Sequence, residues 1–174
     1  PLSAQKAQIY YDFSLLFYQN ATKILREKGF TAQEEYNNLL LQAIKNLQNA
    51  YDLWNKLQDY NHSISCLKLL GNFYEIFGNL QKTLEYYNEA LKTAESKSDR
   101  GNKVKLTSRI IQILSRLEKW EEIIKLIEDI LFHISDYAFI DLLTLANLHK
   151  ELGIARWKSG QEKFAVAELI TALN

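Results

Sequence analysis

The sequence predicts an all-α protein built from antiparallel helical hairpins that repeat along the chain. Three observations carry that prediction. Pro1 is the only proline and there are six glycines, too few turn-formers for a sheet protein of many short strands. Long runs of Leu, Ala, Glu, Gln and Lys favour helix. Finally, Ala50, Ala90, Ile130 and Ala172 occupy equivalent places in similar helical patterns, at intervals of 40, 40 and 42 residues. Recurrence of that regularity marks a repeat.

The elements follow in order. A first helix is expected over residues 3–28, ended by Gly29. It carries Ile9, Tyr10, Tyr11, Phe13, Leu15, Leu16, Phe17 and Tyr18 within ten residues. One face should pack on the second helix; the rest either covers the end of the array or faces a preceding segment. Thr31, with Glu34 three residues on, reads as a capping box for a helix reaching residue 59. Ala43, Leu47 and Ala50 are its apolar face. The later helices fall over residues 62–77, 79–97, 102–117, 119–133, 137–158 and 160–173.

The stretch 64–97 is the most informative. Leu67, Leu70, Gly71 and Tyr74 share one helical face, Gly78 supplies the left-handed terminator, and Thr83, Leu84, Tyr87, Ala90 and Leu91 form the facing stripe. Gly71 is small because the two helices approach there. A second copy carries Ile110, Leu114, Ile123, Ile127 and Ile130, with Glu118 at the turn. A third carries Leu152, Gly153, Gly160, Ala165, Leu169 and Ala172. Linkers at 96–102 and at Ser135 and Asp136 supply the turn chemistry. No linker is long or of low complexity, so residues 1–174 read as one array of four hairpins, over 3–59, 62–97, 102–133 and 137–173.

Composition narrows the function. Apolar residues make up 47% of the 174, enough for a core. Lys and Arg number 21, as do Asp and Glu, so no global field draws the chain onto nucleic acid or an acidic membrane. Cys66 is the only cysteine, which excludes an internal disulfide and a cysteine zinc site; on an apolar stripe it reads as a buried hydrophobe. No apolar run approaches the roughly 18 residues of a spanning helix, and the N-terminus lacks a signal-peptide layout. A cytoplasmic setting is expected. The chain begins at Pro1 and contains no methionine, which reads as a piece of a longer protein.

Catalytic chemistry has no foothold. His62, His133 and His149 have no Glu or His at metal-ligand helical spacing. His62 reads as a loop residue and the other two as structural. The glycines serve repeat geometry rather than a phosphate loop, and Glu121 and Glu122 sit where a helix start favours acids. No enzyme, cofactor or metal is therefore expected.

The order Leu70-Gly71, Tyr74, Gly78, Thr83, Tyr87, Ala90 resembles the tetratricopeptide repeat, whose pattern runs over about 34 residues. Leu67 stands in place of the family's tryptophan and Glu95 in place of its closing proline. The longer period is similar to the branch of the family seen in kinesin light chains and in polarity and G-protein adaptors. The resemblance covers residues 30–174 well and 1–29 loosely. It implies an α-solenoid of four hairpins in a right-handed superhelix, and a protein-interaction module as its function.

In that family the first helix of each hairpin lines a concave groove. Carried over, the partner-binding set is Lys68 and Asn72 in one hairpin, Lys105, Arg109, Gln112 and Arg116 in the next, and Asn147, Lys150 and Trp157 in the last. With Lys158, six groove cations face only Glu75 and Glu151, which implies a peptide or helix, acidic in character. Lys68-x-x-Gly71-Asn72 resembles the opening of the family's carboxylate clamp, but Arg109 stands where the clamp needs an asparagine. A looser acidic-peptide site is the expectation. The competing reading is a regulatory domain that controls a linked or partner effector. RNA reading by helical repeats requires a tighter, more uniform period than 40 to 42 residues.

Overall fold

The computed structural model describes residues 2–133 and 141–173. Among them eight helices follow one another without a strand: α1 Leu2–Lys28, α2 Gln33–Lys56, α3 Tyr60–Ile76, α4 Leu80–Ser96, α5 Arg100–Arg116, α6 Trp120–Phe132, α7 Leu142–Lys158 and α8 Glu162–Leu173. A short 3-10 turn, Gly29–Ala32, joins the first two. Consecutive helices pair as the four expected hairpins. They gather in two compact units, Pro1–Lys97 with α1–α4 and Ser98–Asn174 with α5–α8.

The 40-residue repeat is built from 20-residue halves. Gln58, Gly78, Ser98 and Glu118, each 20 positions after the last, stand in the left-handed region at φ 58°, 74°, 55° and 56°. At Gly78 the Asn79 N–H donates to the Tyr74 carbonyl and the Gly78 N–H to the Glu75 carbonyl, both at 2.9 Å. Such a pair of bonds satisfies the carbonyls that a helix end leaves open. Asp59 N–H to Trp54, Lys119 N–H to Leu114 and Gln161 N–H to Arg156 repeat the longer bond at three further turns. Gly78 adopts this backbone freely; Gln58, Ser98 and Glu118 hold it against the steric preference of an L residue.

The residue after each left-handed position then starts the next helix. Asp59, Asn79 and Asp99 accept from the N–H groups of His62, Lys82 and Asn102. Caps of this kind are worth about 1 kcal/mol each.

Three local expectations need correction. Thr31 does not cap α2: its hydroxyl donates to the Lys28 carbonyl at 2.6 Å, and the cap position falls on Ala32 with no side-chain bond. The 3-10 turn occupies the residues that a capping box needs extended. His62 is not in a loop but in the first turn of α3. The described part of α7 begins at Leu142, with the Asp141 carboxylate accepting from the Thr144 N–H, rather than near residue 137. Ser135 and Asp136, expected as a linker, lie outside the described residues.

In the first unit, α1 lays a stripe of small residues, Ala7, Ser14 and Ala21, against α2, where Leu40, Ala43, Leu47 and Ala50 are buried. Tyr10, Tyr11, Phe17 and Tyr18 close over the same core, and the rings of Tyr18 and Phe73 lie 5.1 Å apart. Between α3 and α4, Gly71 abuts Tyr87: a Cβ on Gly71 would stand 2.6 Å from the Tyr87 ring. In the second unit Ile110, Leu114, Ile123, Ile127 and Ile130 fill the α5–α6 hairpin. Gly153 repeats the close approach in α7–α8, where a Cβ would meet Leu169 at 2.7 Å.

Candidate interaction site

Within the second unit, α5, α6 and α7 enclose an open cavity of about 560 Å³. Ile111, Ile130, Leu148 and Thr107 are buried at its base. Lys105, Arg109, Gln112, Asn147 and Lys150 stand exposed around it, with Glu151 half-buried. Arg109 donates to the Gln112 side-chain oxygen at 3.0 Å, and Lys150 pairs with Glu151 at 3.1 Å. The volume lies in the range of ligand-sized clefts.

Five of the nine residues expected to bind a partner therefore share one cavity. Arg116 and Trp157 lie on the same helices, exposed, further toward their C-terminal ends. Lys68 and Asn72 belong to α3 in the first unit, half-buried, and the Asn72 side-chain oxygen accepts from the Tyr87 hydroxyl. The base of the cavity was not legible as such, because Ile130 arrives from α6 rather than from a helix expected to line the groove.

The charge on α5 is one-sided. Arg100, Lys103, Lys105, Arg109 and Arg116 are its ionisable residues, with no acid among them. Arg100 and Lys103 fall in the first turn or just beyond it, where the helix dipole disfavours cations.

A second polar cluster went unanticipated. The Arg156 guanidinium pairs with Glu168 of α8 at 2.8 Å and Glu128 of α6 at 2.7 Å, and His149 Nδ1 lies 2.6 Å from the other Glu168 oxygen. Aligning the repeats could have found it. Tyr74 and Tyr86 stack at 5.4 Å between centroids; 40 residues on stand Leu114 and Leu126, and 42 further Arg156 and Glu168.

Burial pushes the Cys66 thiol up to about 12, so it is an inert part of the core. His62 stacks on Trp54 with centroids 4.3 Å apart and reaches Asp59 at 2.9 Å. Among the described residues no group of His, Cys, Asp and Glu could hold a metal ion, and no helix is long and apolar enough to cross a membrane.

No family model and no curated protein matches the sequence. Solved structures do. A putative kinesin light chain from Podosopora anserina with nearly identical TPR-like repeats aligns over 98% of this chain and 91% of its own, with a TM-score of 0.62 at 14% identity. The fold is tetratricopeptide-like. MamA 41-end from Desulfovibrio magneticus RS-1 aligns over 93% of this chain and 75% of its own, with a TM-score of 0.55 at 15% identity. At such identities the likeness concerns the tetratricopeptide-like fold alone.

Proposed function

We propose that this chain is a protein-interaction module, an adaptor or scaffold element, whose partner presents an acidic peptide or helix. The observation that carries the reading is α5: five cations, no acid, and two of those cations along a cleft with a buried apolar base. A helix face of one sign along a cleft concentrates an oppositely charged ligand. Lys105, Arg109 and Lys150 supply the attraction in this reading, Gln112 and Asn147 supply hydrogen bonds, and Arg116 and Trp157 extend the contact along the same helices. Lys68 and Asn72 serve as the binding positions of α3. No catalytic step is assigned to the chain.

Exposed cations are worth little singly, roughly 0.2–1 kcal/mol each, so the test reverses two at once. A fluorescein-labelled deca-glutamate peptide is titrated with the full chain, with deca-lysine and a single-stranded oligonucleotide as controls. The expected result is binding of the glutamate peptide that weakens as salt rises and is lost in Lys105→Glu/Arg109→Glu. Equal binding of the peptide by the double variant would remove the cleft from consideration. Preference for the oligonucleotide would redirect the reading to nucleic acid.

A further inference from the structure

Four ionisable side chains line the cleft between α5 and α7: Lys105 and Arg109 on the first helix, Lys150 and Glu151 on the second. Lys150 pairs with Glu151 at 3.1 Å, so the charge that α7 brings to the cleft cancels within that helix. Helix α5 brings two cations to it and has no acid of its own. The surplus along the cleft is therefore two positive charges, carried by one wall. Lys105 and Arg109 stand four residues apart, which sets them one above the other with about 5–6 Å between Cβ atoms. Like charges at that spacing repel, and one dianion seated between them relieves the repulsion at a single point. A carboxylate carries only half that charge.

The neutral side chains beside the two cations are hydrogen-bond donors. Counting from Lys105, Ser108, Arg109 and Gln112 fall at i+3, i+4 and i+7, so all four share one face of α5 over about two turns. All four are exposed and line the cleft. Arg109 donates to the Gln112 side-chain oxygen at 3.0 Å, which holds the guanidinium along the helix and leaves the Gln112 amide nitrogen as a further donor. Ser63, Ser65, Thr83 and Thr93 turn their hydroxyls onto the carbonyl four residues earlier. Among the described residues the Ser108 hydroxyl makes no such bond. An ammonium, a guanidinium, a hydroxyl and an amide in one short run suit a group with three acceptor oxygens and nearly two negative charges. A phosphoryl monoester is such a group.

What lies beneath the donors selects the carrier of that phosphate. Ile111, Ile130 and Leu148 are buried at the base of the cleft. A cavity of about 560 Å³ admits side chains but not a bilayer surface. Its lining residues include no aromatic ring on which a nucleic-acid base could stack. We propose that the cleft reads a phosphorylated segment of the partner protein. The phosphoryl group of a phosphoserine or phosphothreonine sits on Lys105, Ser108, Arg109 and Gln112, and a neighbouring apolar side chain sits on the base. This rests on the acidic-partner reading above and names the anion within it.

The test is fluorescence anisotropy with the full chain and four short fluorescein-labelled peptides of one sequence. The first carries phosphoserine followed by leucine and no other charge. In the others serine or glutamate replaces the phosphoserine, or serine replaces the leucine. Phosphoserine should bind about tenfold more tightly than glutamate, and plain serine should not bind. Replacing the leucine should weaken binding several-fold. Ser108→Ala and Arg109→Lys are exposed changes that keep every charge, and unchanged circular dichroism checks their folding. Each should narrow the preference for phosphoserine over glutamate about threefold or more, the first by losing a donor and the second by losing the guanidinium fork. Equal binding of the phosphoserine and glutamate peptides would overturn the phosphoryl assignment and leave the acidic-partner reading standing. Binding of no peptide, deca-glutamate included, would overturn both. An undiminished preference in both variants would put the phosphate elsewhere and overturn the proposal. Tighter binding to phosphatidylcholine vesicles bearing phosphatidylinositol phosphate than to the phosphopeptide would overturn it in favour of a lipid headgroup.

Discussion

The close approach of α3 and α4 can be tested with a single methyl group. In Gly71→Ala the new Cβ would lie 2.6, 2.9 and 3.1 Å from Cε1, Cδ1 and Cζ of Tyr87. Carbon pairs rest at about 3.5–4.0 Å, so the ring or the helix must give by roughly 1 Å. The ring has little room to do so. Tyr87 is among the largest fully buried side chains, and its hydroxyl is tied to Asn72. Overpacking of this kind costs about 1–3 kcal/mol, and a strained Tyr87–Asn72 bond adds up to about 1. Removing a helix-interior glycine returns about 1 kcal/mol. The net expectation is a loss of about 1–2 kcal/mol, with Gly71→Leu worse.

Urea unfolding followed by circular dichroism measures it. With a slope of about 2 kcal/mol per molar, the midpoint should fall by roughly 0.5–1 M. Gly101→Ala is the control, because its Cβ would meet only the Asp99 side chain at 3.7 Å. That change should be neutral or stabilising by a few tenths to about 1 kcal/mol. Shortening the neighbour should rescue the defect: the α5–α6 hairpin carries Ile111 and Ile127 at the places of Gly71 and Tyr87. Gly71→Ala should therefore cost less in a Tyr87→Ile background than in the wild type. If Gly71→Ala alone unfolds at or above the wild-type midpoint, the helix register described for this hairpin is wrong.

Other expectations are simpler. Ser98→Gly and Glu118→Gly relieve a left-handed L residue and should each stabilise by about 0.5–1 kcal/mol in the same assay. Burial raises the Asp59 carboxyl, but hydrogen bonds from His62 outweigh it and leave the folded value below the ordinary one. Its stabilisation is therefore present above the unfolded value of about 4 and lost as pH falls through the lower folded value. Asp59→Asn, which copies the cap at Asn79, should keep the helix start and flatten the acid limb of the stability profile; an unchanged limb would count against the pairing.

The sequence carried the hairpin faces because burial there is set by local periodicity. Leu67, Leu70, Thr83, Tyr87, Ile110, Ile123, Ile127 and Leu152 all lie inside, and Gly71 and Gly153 sit at the helix contacts. The turns at Gly78, in the 96–102 linker and at Glu118 were legible, whereas Gln58 lies inside a helix expected to reach residue 59. Gln58 adopts the same left-handed backbone as Gly78 with no residue signal, since the 20-residue geometry, not the side chain, demands it. Thr31 failed as a cap because a 3-10 turn, invisible to pattern, claims its hydroxyl for Lys28. The rim of the cleft followed from helix position, whereas its apolar base depends on which side chain of α6 reaches between α5 and α7.

The last hairpin is held differently from its predecessors, and that difference yields a sharp prediction. Where Tyr74 and Tyr86 stack, and where Leu114 and Leu126 stand in the next hairpin, α7 and α8 set Arg156 against Glu168. The side chains of Arg156, Glu168 and His149 are only 15–17% exposed, so their attraction is weakly screened and their desolvation is substantial. Glu168 carries two partners from α7, and Arg156 carries a third link to Glu128. Glu168→Gln leaves a largely buried guanidinium short of charge and should cost about 2–3 kcal/mol. Arg156→Leu alone should cost a similar amount, because it strands Glu168. The double change Arg156→Leu/Glu168→Leu installs the apolar pair that the preceding hairpin carries at this register. An apolar pair of suitable volume commonly equals or exceeds a buried ion pair, so the double variant should recover most of the loss. Losses that instead add in the double variant would show that the two side chains do not act as a pair.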